Sequence, residues 1–300
     1  MTATTPSAPP TPRPWPTEPI APGTHVVTLT KHHGLGNDFL VAVSADPRSL
    51  LDPALAVRLC DRRRGIGADG FIVAGPAAQP GCDAVMVLFN ADGSRAEMSG
   101  NGIRCLAQAL ALAHGTDEVD LVVLTDAGVR TLEVRPHPGD PASVLVRVGM
   151  GPVTDGPSWH PSDEAARAVE TLAPSHHATA DIGNPHLVLA VADPWQVDVA
   201  AVGPVLEADF PAGVNVQFIA ARPGCTDELD LTVWERGAGV TEACGTGASA
   251  AATVAHRWGL VGPTVTVHMP GGMVTVEVGD DATSLIGPAT FIARIEFDLG

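Results

Sequence analysis

A stretch that occurs twice constrains this chain more than any other feature. Residues 89–102 read FNADGSRAEMSGNG and residues 234–247 read WERGAGVTEACGTG, aligned without a gap at a constant offset of 145 (234 minus 89). Glu97 falls on Glu242, Gly100 on Gly245, Gly102 on Gly247 and Ser99 on Cys244. A second echo lies upstream. Gly36-Asn37, ahead of FLVAV, matches Gly183-Asn184, ahead of PHLVLAV, at an offset of 147 (184 minus 37). Two separated matches at nearly one offset predict two related halves.

The chain is long enough for this. Its 300 residues can form two domains of ordinary size, each with its own core. The formal net charge of -17 argues against nucleic acid or an anionic membrane as the main partner, yet leaves room for a local positive site that takes a carboxylate. No apolar run reaches the length of a membrane span. The five cysteines (Cys60, Cys82, Cys105, Cys225 and Cys244) are odd in number and contain no C-x-x-C pair. Neither a disulfide framework nor a cysteine-based zinc site is expected, and a reducing cytoplasm is. Lys31 is the sole lysine, so pyridoxal phosphate, which needs a lysine for its Schiff base, would rest on that residue alone and is disfavoured.

Residues 1–24, with eight prolines and little to build a core, read as a disordered tail without the apolar region of a signal peptide. HVVTLTKHH and FLVAV then flank a GLGND turn as two strands. DPALAVRLCDRR predicts a short helix from Asp52 to about Gly65. Gly65, Gly67 and Gly70 spell G-x-G-x-x-G, but an arginine run precedes the motif and a strand follows it. That inverts the context of a dinucleotide site and leaves a turn. Arg62, Arg63 and Arg64 read as a solvated helix end suited to the helix dipole. GIRCLAQALALAH, apolar on nearly all faces, reads as a buried helix, and Ala-rich GASAAATVAHRWG follows the second copy in the same way. Strands outnumber helices, which predicts an α+β chain of two domains, each a curved sheet around a central helix.

The doubled motif carries the chemistry. Cys244 stands at the start of a buried helix, where free N–H groups and the helix dipole lower a thiol pKa and favour a thiolate. The same N–H groups can hold a substrate carboxylate, and the glycines allow close approach. Two such helix starts, facing each other, place reactive groups on opposite faces of one carbon, the geometry that stereoinversion needs, with opposed donors to stabilise a carbanion. Cys60, Cys82 and Cys105 read as packing residues.

Taken in order, GLGNDF, CDRRRGIGADG, FNADGS…GNGIRC, GNPH, NVQF and ERGAGVTEACGTG resemble the diaminopimelate epimerase family over residues 31–247. The resemblance implies a cofactor-independent, metal-free isomerase that interconverts LL- and meso-diaminopimelate for lysine and peptidoglycan synthesis, and makes a homodimer plausible. It implies two pseudo-symmetric domains, residues 25–143 completed by 287–300 and residues 144–286, with mostly antiparallel sheets. By motif position it assigns substrate contacts to Asn37, Asn90, Gly100, Asn101, Asn184, Asn215, Glu235, Arg236, Gly245 and Thr246. His186 and Glu235 take the positions that tune the reactive thiols, and Arg236 suits bidentate binding of a carboxylate. Two departures stand out. Ser99 occupies the place of the first catalytic cysteine opposite Cys244, and an alcohol is a far weaker acid than a thiol, so Ser99 needs another base or a water relay. Gly70 stands where some members carry a glutamine that contacts substrate. Three readings remain: an epimerase with an unequal Ser99/Cys244 pair, which is favoured, a one-base lyase of the kind that dehydrates hydroxyproline, or a binding homologue without turnover.

Overall fold

The computed structural model describes Trp15 and residues 26–299. The expected tail lies outside the described residues apart from Trp15, which packs against the largest core. The fold is a mixed α/β one made mostly of strands. Its first half runs β1 (Val26–Gly34), β2 (Asn37–Val43), α1 (Pro53–Cys60), β3 (Gly70–Gly75), β4 (Ala84–Asn90), β5 (Arg95–Ala96), α2 (Gly100–Ala113), β6 (Val119–Thr125), β7 (Gly128–Pro136), β8 (Ser143–Gly151) and β9 (Thr154–Asp155). After α3 (Asp163–Leu172) the order returns as β10 (His176–Asp181), β11 (Pro185–Ala190), α4 (Val199–Glu207), β12 (Asn215–Ala221), β13 (Glu228–Glu235), β14 (Gly239–Thr241), α5 (Gly245–Arg257), β15 (Thr264–Met269), β16 (Gly272–Val278) and β17 (Thr283–Asp298).

Pairing repeats along with order. Strand β2 runs parallel to β3 and β4 parallel to β6, just as β11 runs parallel to β12 and β13 parallel to β15; the other pairings are antiparallel. Each half ends in a crossing strand. Strand β17 leaves β16 and finishes against β1, while β8 leaves β7 and passes through β9 to reach β10. The two crossing strands pair with each other, Leu285 opposite Val148. The boundary expected at 143/144 therefore falls on the first residues of such a strand.

Local chemistry sets the elements that matter for the site. Leu35 and Gly36 both adopt positive φ (55° and 87°), the signature of a tight two-residue hairpin turn, and this delivers Asn37 to the start of β2. Helix α1 begins where Asp52 accepts the Ala54 N–H with Pro53 in the first turn, and it ends at Cys60 instead of running on to Gly65. Beyond it Arg62 is exposed, as expected, but it is also paired. It bridges Asp38 and Asp69, and Lys31 pairs with Asp38 from the other side, which locks β1, β2 and the glycine turn together. Asp69 lies only seven residues on, but Asp38 lies 24 residues back, so the run of arginines alone does not reveal this pairing. Arg63 and Arg64 remain exposed.

Helices α2 and α5 both lie inside the largest core, through residues such as Ile103, Leu106, Ala248 and Ala251, as their apolar faces predict. Smaller cores lie under α1 (Leu55, Leu59, Phe71) and under α3 and α4 (Ala165, Leu206, Phe218). Helix α3 has no counterpart in the sequence reading. It is capped by Ser162, carries Asp163 and Glu164 in its first turn and fully buries only Ala165, a surface helix whose cap and periodicity were there to be read. Among the described residues no helix is long and apolar enough to cross a membrane.

Candidate active site

The two glycine motifs meet. A Cβ placed on Gly100 would lie 3.1 Å from Cα of Gly245, and one on Gly245 equally close to Cα of Gly100, so the first turns of α2 and α5 abut and a side chain on either would press on the backbone of the other. Their caps share a backbone conformation: Ser99 at φ -135°, ψ 124° and Cys244 at φ -127°, ψ 111°. Ser99 Oγ accepts the Gly102 N–H at 3.0 Å, and Cys244 Sγ accepts the Gly247 N–H at 3.3 Å. Both caps open onto one cleft of about 1080 Å³.

Asn37, Asn90, Ser99, Gly100, Asn101, Asn184, Asn215, Glu235, Arg236, Cys244, Gly245 and Thr246 all line this cleft. His186 does not; it is fully buried in β11, opposite Asn215 in β12. The asparagines are held by specific bonds. Asn101 Nδ2 donates to Asn37 Oδ1 at 3.2 Å and to the Ala243 carbonyl at 3.0 Å, which ties the two halves together across the floor. Asn184 Nδ2 reaches Thr246 Oγ1 at 3.4 Å, and Asn215 Oδ1 accepts the Arg236 N–H at 3.1 Å. Asn37 also donates to Asp69, and Asn90 to Ser94. One guanidinium nitrogen of Arg236 donates to the Ala212 carbonyl.

The surroundings of Cys244 correct the expected ready-made thiolate. Burial pushes this thiol well above its ordinary value, and the adjacent Glu235 carboxylate pushes the same way. The Thr246 hydroxyl and the Gly247 N–H oppose them but do not prevail. Glu235 is itself raised, chiefly by burial, against hydrogen bonds from Thr241 and Cys244. Burial and Glu235 thus both favour the Cys244 thiol over the thiolate. Behind it, His186 Nε2 meets Asn184 Oδ1 at 3.1 Å, while Gln217 faces both the imidazole and Gly247.

The wall behind Ser99 is different. A side chain on Gly102 would meet Ser99, Ile72 and Phe39, and one on Gly70 would come within 3.0 Å of the Phe39 ring and 2.9 Å of the Phe89 carbonyl. Phe39 thus fills the space that a larger residue at 70 would need. At the repeat offsets Phe39 stands for His186, Gly70 for Asn215, Ile72 for Gln217 and Asn90 for Glu235. The hydroxyl half has an apolar backing where the thiol half has a polar, titratable one.

Burial lowers His186 to about 4, with Gln217 partly opposing and Arg236 assisting. His32 is likewise lowered to about 4 by burial, against a hydrogen bond to Gln108. Both folded values lie below the unfolded one near 6.5, so the neutral imidazoles contribute fully above pH 6.5 and that contribution is lost as pH falls toward 4. The expected loss is about 3 kcal/mol per histidine. Urea midpoints recorded from pH 7 to 4.5 should fall accordingly, and a flat profile would contradict it.

Against known proteins, the diaminopimelate epimerase family model matches residues 29–155 and 178–292. A diaminopimelate epimerase from Acinetobacter baumannii is 37% identical over 287 residues, covering 91% of this chain and 98% of the relative. One from Synechococcus elongatus is 40% identical over 276 residues, covering 87% and 94%. Among solved structures, a hydroxyproline epimerase from Agrobacterium vitis superposes with a TM-score of 0.67 at 18% identity, covering 92% of this chain and 94% of that one. A PhzF-family phenazine biosynthesis protein from Bacillus anthracis gives 0.66 at 13% identity, covering 91% and 99%. These two likenesses bear on the fold alone.

Proposed function

The chain belongs to the diaminopimelate epimerase family and is an isomerase of lysine biosynthesis, interconverting LL- and meso-diaminopimelate; we propose that it does so with an unequal catalytic pair, Cys244 and Ser99. The observation that carries this reading is the shared cleft over two abutting helix starts, each capped by one of these side chains. The substrate's α-carboxylate sits against the free N–H groups of α2 and α5. Cys244 is the acid and base of one face. It gives its proton up to cleft solvent as the substrate's positive ammonium offsets the charge of Glu235, then takes the α-proton and leaves a carbanion that the N–H groups stabilise. Ser99, half-buried and without a titratable side chain behind it, passes a proton from cleft solvent to the opposite face. Asn37, Asn90, Asn184, Asn215 and Arg236 hold the rest of the substrate, with Arg236 suited to its distal carboxylate. His186 acts from behind Cys244 by fixing Asn184.

The repeated element order and the reciprocal Gly100/Gly245 contact support two pseudo-symmetric domains, residues 25–143 closed by 287–300 and residues 144–286. The family resemblance supports a homodimer. Five free cysteines support a cytoplasmic location.

Incubating the protein with LL-diaminopimelate in heavy water tests the pair. Meso product carrying one deuterium at the inverted carbon is expected. Exchange with retained configuration would instead establish one-base chemistry at Cys244, and binding without exchange would reduce the chain to a binding homologue.

A further inference from the structure

Arg104 is fully buried in α2, yet no carboxylate pairs with it among the described residues. Its guanidinium donates to the Gly100 carbonyl at 3.0 Å, to Asn101 Oδ1 at 2.9 Å and to the Pro288 carbonyl at 3.1 Å, all neutral acceptors. A buried cation without an anion is costly and calls for a partner. The two groups it grips in α2 belong to the helix's first turn, on the floor of the cleft. A bond to the Gly100 carbonyl polarises the peptide whose N–H is that of Asn101, making it a stronger donor. The bond to Asn101 Oδ1 turns that side chain's Nδ2 toward Asn37 and Ala243.

The other half shows what is added. At the repeat offset, Ser249 donates to the Gly245 carbonyl at 3.0 Å, the same bond from a neutral group. The Ser99 side therefore has a fixed cation under its helix start, while the Cys244 side has the Glu235 carboxyl beside its own.

We propose that Arg104 is the counter-charge for the substrate's α-carboxylate: a positioning residue that acts through Gly100 and Asn101, polarises the cleft from the Ser99 side toward Cys244, and has its charge offset only when that anion binds in the cleft above. It rests on the reading of the two helix starts as the carboxylate site.

The test compares alkylation of Cys244 by iodoacetate, an anion, with alkylation by neutral iodoacetamide, following the Cys244 peptide by mass spectrometry. It needs no turnover. In the unaltered protein the iodoacetate-to-iodoacetamide rate ratio should exceed that of N-acetylcysteine amide, in spite of the chain's net charge of -17. In Arg104→Gln the ratio should fall about tenfold, and Arg104→Lys should restore most of it. A ratio below the reference in the unaltered protein would overturn the proposal whether or not the variants fold. So would an equal slowing of both reagents in Arg104→Gln, the mark of a purely structural role. If epimerisation fails while the ratio behaves as expected, the fault lies with the proposed catalytic pair and not with Arg104.

Discussion

Cys244→Ser should reduce epimerisation by about 10²–10⁴-fold, the range that a positioned acid–base group supplies. The variant would place a hydroxyl at both helix starts. The fold should survive, because the chain already shows at Ser99 that serine caps this turn: its Oγ accepts the Gly102 N–H in the geometry that Cys244 uses with Gly247. The N–H groups that hold the carboxylate remain as well, so the loss should appear in kcat, with KM nearly unchanged. What disappears is a group able to carry a negative charge. Burial and Glu235 hold the Cys244 proton on sulfur, so the unaltered enzyme should gain activity as pH rises and the thiolate becomes accessible. An alcohol in the same place stays protonated throughout, and the variant's residual rate should be flat over that range. Initial rates against pH for both proteins decide the matter. Residual activity within tenfold of the unaltered enzyme would remove Cys244 from the proton path.

The repeat made the centre of this site legible before any coordinates. A glycine-rich turn entering an apolar helix, twice at one offset, specified two buried helix starts. Gly100 against Gly245 is how they meet. The protonation state of Cys244 was not legible, because the sequence displays the helix start but not the enclosure or the carboxylate that β13 brings from nine residues upstream. The ion pairs of Arg62 were only partly legible for a related reason: Asp38 arrives through the β2–β3 pairing, a contact between distant residues, although Asp69 lies seven residues on. The unlike linings behind Ser99 and Cys244 lay within reach. The alignment that sets Ser99 on Cys244 also sets Ile72 on Gln217 and Arg104 on Ser249, the upstream echo at offset 147 sets Phe39 on His186, and these mismatches mark where the two halves have taken different tasks. A repeat informs by its identities about fold and by its differences about chemistry.

Those differences bear directly on Ser99→Cys, which should raise the epimerisation rate by about 10²-fold or more by giving the second face its own acid and base. Cysteine caps the equivalent turn at 244, so the backbone asks nothing new of residue 99. The new thiol would not copy Cys244. Asn90 occupies the place of Glu235, which removes the carboxylate that raises the pKa of Cys244, and Arg104 lies under the helix start as a cation. The apolar backing of Phe39 and Ile72 acts the other way, since burial disfavours a thiolate. With asparagine in the place of the Glu235 carboxylate and with a cation below, residue 99 should ionise more readily than Cys244, so the variant should hold one thiolate and one thiol near neutral pH. That is the state a two-base exchange needs, with one group to take a proton and one to give it. In heavy water, inversion by Ser99→Cys should lose its dependence on the slow hydroxyl relay, and meso product should appear in step with deuterium uptake. If the rate stays where the serine left it, the residue at 99 caps a helix and does nothing to the proton, and the second face of the substrate is served by solvent alone.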